Sequence, residues 1–84
     1  MRFKEIAPPE VKRNVARTVI WGREEVLIEQ HTGLFSYETK CIRVRTRTGL
    51  MTVTGENLII SHFGAQDLLI QGKIDAVDWG SAAT

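Results

Sequence analysis

The sequence predicts an all-β domain: a small, mainly antiparallel, rolled or barrel-like meander of about six or seven short strands with a short N-terminal helix. Two observations predict this class. From Val15 onward, apolar residues alternate with polar ones at the two-residue period of strands that bury one face. Glycines interrupt the alternation at short intervals, as the turns and bends of an all-β fold require.

The two ends of the chain differ from this middle part. The pair Pro9-Glu10 predicts a helix start, because proline's fixed φ suits the first turn and an acidic side chain is favourable near the N-terminal end of the helix dipole. We expect residues 1–8 to form a flexible arm, residues 9–79 a single β domain, and residues 80–84 a frayed tail.

The clearest strand in the sequence runs from Cys41 to Arg47. Its side chains alternate between two faces, with Ile42, Val44 and Thr46 on one and Arg43, Arg45 and Arg47 on the other. Thr48-Gly49 supplies a tight turn, after which the alternation resumes at Met51. The segment is therefore predicted to be a β-hairpin.

Five glycines are predicted to shape the sheet. Apolar residues shift from odd to even positions near Gly55 and back to odd positions near Gly72. Such a shift would turn the core face outward unless the strand bends or bulges there. The surroundings of Gly22 form a looser third copy of this pattern, and Gly33 and Gly49 are assigned to turns.

The size of the chain favours self-association. Its 84 residues contain 43% hydrophobic and 25% charged residues, an ordinary globular composition. A domain this short buries only about 60–65% of its unfolded-chain surface, so its own core supports it weakly. We therefore expect a homodimer, formed through sheet edges or a shared apolar face.

Charge and cysteine content limit the possible partners and the cellular compartment of the protein. Eleven Lys and Arg face ten Asp and Glu, which excludes a polycation that binds nucleic acid by bulk charge. A lone cysteine, Cys41, excludes an internal disulfide and fits a reducing compartment. No apolar run is long enough for a signal peptide or a membrane span, so we expect a cytoplasmic protein without direct membrane insertion.

The residue types that carry chemistry are scattered. His31, His62 and Cys41 lie more than four residues apart, whereas structural zinc sites show paired ligands at short spacing. In the favoured interpretation His31 serves a turn, His62 ends a strand and Cys41 is a small hydrophobic residue. We expect no metal, no cofactor and no catalytic residue; a metal-dependent enzyme built from these three residues is the weakest alternative.

The arginine stripe Arg43, Arg45 and Arg47 is the most distinctive local feature. Successive side chains on one strand face lie about 6.5–7 Å apart, and Lys40 and Arg17 would extend the patch if the fold brings them near. Three interpretations stay open: a solvated face, contact with a protein partner, and contact with nucleic acid. The last gives the alternative function, a small nucleic-acid-binding β-barrel.

Trp21 is a further candidate interaction residue. It is out of phase with Ile20, which suits an interface position, whereas Trp79 is in phase with Val77 and suits the core.

Five ordered motifs resemble the YabP/YqfC family of sporulation proteins. They are Ile20-Trp21-Gly22; Val26-Leu27-Ile28-Glu29-Gln30-His31-Thr32-Gly33; Ile42-Arg43-Val44-Arg45-Thr46 with Gly49; Val53-Thr54-Gly55-Glu56-Asn57-Leu58-Ile59-Ile60; and Leu69-Ile70-Gln71-Gly72-Lys73-Ile74, closing at Trp79. The chain departs from the family pattern at three positions: Ala16, where proline is common, Arg23, where asparagine is common, and Trp79, where phenylalanine is more usual.

The resemblance implies a role rather than a mechanism. It implies a small, β-rich, non-enzymatic protein made in the mother cell during spore formation. Its role would lie in spore cortex or coat assembly, beside an integral-membrane sporulation partner at the forespore surface. The resemblance supplies no catalytic residues.

Overall fold

The computed structural model describes residues 15–80, and every regular element in this range is a strand. The strands are β1 Arg17–Trp21, β2 Glu25–Glu29, β3 Gly33–Glu38, β4 Cys41–Thr46, β5 Gly49–Phe63 and β6 Asp67–Trp79. The all-β prediction is confirmed, and none of the described residues forms a helix that could cross a membrane. The predicted N-terminal helix, the arm over residues 1–8 and residues 81–84 of the predicted tail lie outside the described range.

The six strands form one open antiparallel sheet in the order β1-β2-β6-β5-β4-β3. The predicted meander is wrong at one connection, because β2 pairs with β6 and the chain then crosses to start β3 at the opposite edge. The prediction of short strands is also wrong for β5 and β6, which have 15 and 13 residues. Both remain single strands because their mutual pairing resumes beyond each bend.

The bends of β5 and β6 lie against each other. The register between the two strands shifts between Thr54 and Gly55, and again between Glu56 and Ile59. A Cβ at Gly72, whose φ is +139°, would stand 2.6 Å from the Asn57 carbonyl oxygen, and one at Gly55 would overlap the Lys73 carbonyl. Only glycine allows the two backbones to approach this closely.

The bends fold the sheet onto itself around one core. Thr18 on β1 donates a hydrogen bond to the Met51 sulfur on β5 at 3.5 Å. In a flat sheet these two strands, three spacings apart, would lie about 14 Å from each other. The buried residues form one cluster: Val26, Ile28, Ile42, Val44, Met51, Val53, Leu58, Leu68, Ile70 and Ile74.

The sheet has two similar halves. The β1–β2 hairpin flanks β6, and its turn is held by a hydrogen bond from the Gly72 amide to the Glu24 carbonyl (3.1 Å). The β3–β4 hairpin flanks β5 in the same way, with the Gly55 amide bonded to the Lys40 carbonyl (3.0 Å). The predicted phase change beside a glycine thus corresponds to two bent strands, at Gly55 and at Gly72. The predicted third copy is instead a hairpin with Gly22 in its turn.

Candidate functional site

The outer face of β4 carries two arginines. Arg43 and Arg45 are exposed and alternate with buried residues of the core. The Arg45 guanidinium lies over the Phe35 ring, 4.8 Å from its centroid. Arg47 is not on this face, because β4 ends at Thr46 and Arg47 lies in the turn that follows. The predicted stripe of three strand arginines is therefore a pair plus a turn residue.

Of the two residues predicted to extend the patch, only Lys40 lies next to β4. Lys40 lies in the turn that leads into β4. Arg17 lies on β1, at the far edge of the sheet, where it forms an ion pair with Glu29 at 2.7 Å. A shallow groove runs beside the arginines on the same side of the molecule, lined by Phe35, Ser36, Glu38, Cys41 and Arg43.

The outer face of the other half is apolar. Val19, Leu27 and Leu69 pair in a row across β1, β2 and β6, and all three are partly exposed. Trp21 and Ile59 stand in the next row and are 48% and 50% exposed. We call these five residues the apolar face. Of these five, only Trp21 was predicted from the sequence. A usable signal for two others is that Leu27 and Leu69 each stand in the middle of a three-residue apolar run, which places an apolar side chain on each side of the sheet.

One polar pair interrupts the apolar face and another borders it. The Gln71 side-chain amide donates to the Glu25 carboxylate at 2.6 Å, between Trp21 and Ile59 in their row. At the opposite end, Asp67 pairs with His62 at 3.4 Å. Exposed apolar side chains with polar groups among and beside them are typical of a protein interface.

The two tryptophans lie on opposite faces of the sheet. Trp21 lies on the outer face, as its phase predicts. Trp79 is paired with the buried Met51 and so shares the inner face, but at the end of the sheet it remains 52% exposed.

His31 is buried where the chain crosses from β2 to β3. Its Nε2 lies 3.2 Å from the Gly64 carbonyl oxygen and 3.3 Å from that of Asp67. Because both partners are acceptors, Nε2 carries the hydrogen and donates it. Nδ1 is buried and has no hydrogen-bond partner among residues 15–80. The imidazole therefore links the β2–β3 connection to the β5–β6 turn. His31 stabilises a turn, as predicted, but that turn joins two strands other than its own neighbours in sequence.

We expect His31→Ala to lower the free energy of unfolding by about 2 kcal/mol. The substitution removes the donor to two carbonyl groups and leaves a void beside Phe63, whose ring centroid lies 5.5 Å away. Urea denaturation followed by tryptophan fluorescence measures the change. The matched control is His62→Ala, whose side chain is 58% exposed and should shift stability by less than about 0.5 kcal/mol. Equal losses in the two variants would contradict this role for His31.

The weakest sequence alternative, a metal centre, required His31, His62 and Cys41 to meet. Within the part of the chain that the structure describes, no three His, Cys, Asp or Glu side chains are grouped to hold an ion. The two histidines lie near the β5–β6 turn, whereas Cys41 begins β4 and is paired with Thr54.

Comparison with known proteins shows the family of the chain. The YabP family model matches residues 12–84, a range that includes all six strands and both outer faces. This chain belongs to the YabP family. A relative from Bacillus subtilis (strain 168), described as uncharacterized protein YqfC, is 30% identical over 70 residues, which cover 83% of this chain and 75% of the relative. The family resemblance is thereby confirmed.

Proposed function

We propose that this YabP-family protein is a non-enzymatic sporulation protein that acts in spore cortex or coat assembly by binding other proteins, and that it forms a homodimer. Family membership supports the process, and the two outer faces support the mode of action. One face presents arginines, and the other presents exposed apolar side chains with polar groups among and beside them. Such surfaces are suited to holding partners.

The observation that carries the proposal is the stacking of Arg45 on Phe35. A stacked guanidinium is held in one orientation and keeps its outer N–H groups available for a carboxylate. Arg43 stands two residues away on the same face, about 6.5–7 Å along the strand. The pair matches an acidic segment, which we assign to an integral-membrane sporulation partner met by the protein in the mother cell at the forespore surface.

The contacts of the two histidines also support a binding role. His31 is engaged in holding a turn, and His62 pairs with Asp67 at the border of the apolar face. Each contact has a structural use.

The function is tested by replacing the chromosomal gene in the spore-forming host with an Arg43→Gln, Arg45→Gln variant. We expect heat-resistant spores to fall at least tenfold, because the partner loses two charge-assisted contacts while the fold keeps its core. Exposed substitutions of this kind change stability by only about 0.5 kcal/mol. Arg47→Gln removes one charge from the turn and is expected to sporulate normally. Normal spore counts from the double variant at wild-type protein levels would contradict the proposal.

A second candidate function, nucleic-acid binding, is favoured by one specific contact. The fold places an aromatic ring, Phe35, against Arg45 although the two residues belong to different strands. Binding of a fluorescent single-stranded oligonucleotide should then weaken with salt, with a slope of log affinity against log salt of about −1 to −2 for two phosphate contacts. Loss of binding in the Arg43→Gln, Arg45→Gln variant would support this function. No binding at low salt would contradict it.

A further inference from the structure

The two edges of the sheet differ in how they are protected. β3 carries a bulge between Leu34 and Ser36, and its extra residue, Phe35, packs on Arg45. Bulges of this kind block pairing with another strand. β1 pairs with β2 in unbroken register from Arg17 to Trp21, and it contains no proline. Among residues 15–80 no strand covers its outer edge.

The free backbone groups of β1 follow from its turn. The Trp21 carbonyl accepts a hydrogen bond from the Glu24 amide inside the hairpin. Because backbone groups alternate in direction along an antiparallel strand, Trp21, Val19 and Arg17 point theirs toward β2. The N–H and C=O groups of Thr18 and Ile20 therefore point outward from the edge.

We propose that two copies of the chain join by antiparallel pairing of their β1 strands, with the two-fold axis at Val19. This inference rests on the proposed homodimer and specifies its edge and register. Thr18 then lies opposite the partner's Ile20, and the outward groups of each such pair exchange two hydrogen bonds. Val19 faces the partner's Val19 as a non-hydrogen-bonded pair, and the two sheets become continuous.

The side chains fit this register on the outer face. Arg17 comes to lie opposite the partner's Trp21, so its guanidinium can stack on the exposed indole as Arg45 does on Phe35. In the single chain Glu29 on β2 pairs with the Arg17 Nε at 2.7 Å, on the side away from the free edge. This exposed ion pair opens or is shared when the Arg17 guanidinium turns to the partner's indole. The row of Val19, Leu27 and Leu69 becomes continuous with the same row of the partner.

The register also fits on the inner face. Ile20 is 50% exposed although it is paired with the buried Val26. At the end of a lone sheet it lacks a neighbour on its outer side. In the proposed dimer it lies against the partner's Thr18, which covers it.

Disulfide cross-linking at the axis tests the register in the full chain. In a Cys41→Ser background, Val19→Cys places two cysteines opposite each other with Cα atoms about 4.5 Å apart, within disulfide range. We expect mild oxidation to convert most of this variant to a covalent dimer. Leu27→Cys is the matched control, one strand inward on the same face. Its two copies would lie about 14 Å apart, so it should cross-link at least tenfold less.

Charge substitution at the same position gives a second, independent measurement. Val19→Glu and Val19→Lys each place like charges face to face across the axis, and each should weaken the dimer at least a hundredfold by sedimentation equilibrium. An equimolar mixture of the two variants should form a mixed dimer again. If the wild-type chain is a dimer but Val19→Cys does not cross-link and the charge variants still dimerise, the β1 register is overturned and the homodimer stands. A wild-type monomer at micromolar concentration would overturn both.

Discussion

Gly55→Ala is expected to be the most destabilising of these substitutions, with a loss large enough to unfold a domain whose stability lies near the lower end of the range for its size. The new Cβ would overlap the Lys73 carbonyl and crowd the Leu58 side chain, so β5 and β6 must separate at their paired bends. Both contacts lie in the middle of the sheet, and the first is backbone that no rotamer change can move. We expect a loss of more than about 4 kcal/mol, in the upper tail of single substitutions. A domain of this size has a total stability of only roughly 4–13 kcal/mol.

Circular dichroism and urea denaturation measure this effect, and Gly22→Asn is its control. Gly22 has φ +57° with open space around the missing Cβ, and asparagine tolerates that conformation. The control should lose less than about 1 kcal/mol. If Gly55→Ala folds as stably as Gly22→Asn, the two bends do not touch as described.

Leu58→Ala is expected to have the second largest effect, a loss of about 3 kcal/mol. Leu58 is fully buried just after the bulge, which Asn57 permits with a φ of +54°. Truncation removes apolar contact and leaves a cavity where the inner faces of the two halves meet. The midpoint of urea denaturation should fall with an unchanged slope.

The neighbouring residue supplies the control for this prediction. Ile59 has a side chain of similar size but faces outward and is 50% exposed. We expect Ile59→Ala to cost less than about 1 kcal/mol. Similar losses at the two positions would mean that the bulge does not turn Leu58 into the core and Ile59 to the outer face.

The change of phase near Gly55 and Gly72 separates what a local pattern predicts from what strand pairing decides. Alternation alone predicts strands and identifies which residues share a face, because that period is a local property of the backbone. It also predicts a bend at each phase change. It does not say whether the chain turns back or continues as one strand, since that depends on whether the neighbouring strand keeps pairing beyond the bend.

The candidate faces show the same division. The spacing of Arg43 and Arg45 on one strand face follows from their sequence positions. The contact of Arg45 with Phe35 does not, because these residues belong to different strands and the contact depends on a bulge in β3. The sequence does not predict the apolar face, because its residues belong to four different strands, β1, β2, β5 and β6, and become neighbours only when those strands pair.

By itself the sequence determined the all-β class, the family, the β4–β5 hairpin and the positions of the two bends. These depend on local backbone geometry and on the order of motifs along the chain. Only the tertiary structure decided that β2 pairs with β6, that Arg17 lies far from Arg43 and Arg45, and that no strand of residues 15–80 covers the outer edge of β1. These depend on which strands find each other across long stretches of chain, and that choice is made by burial of a shared core rather than by any local pattern.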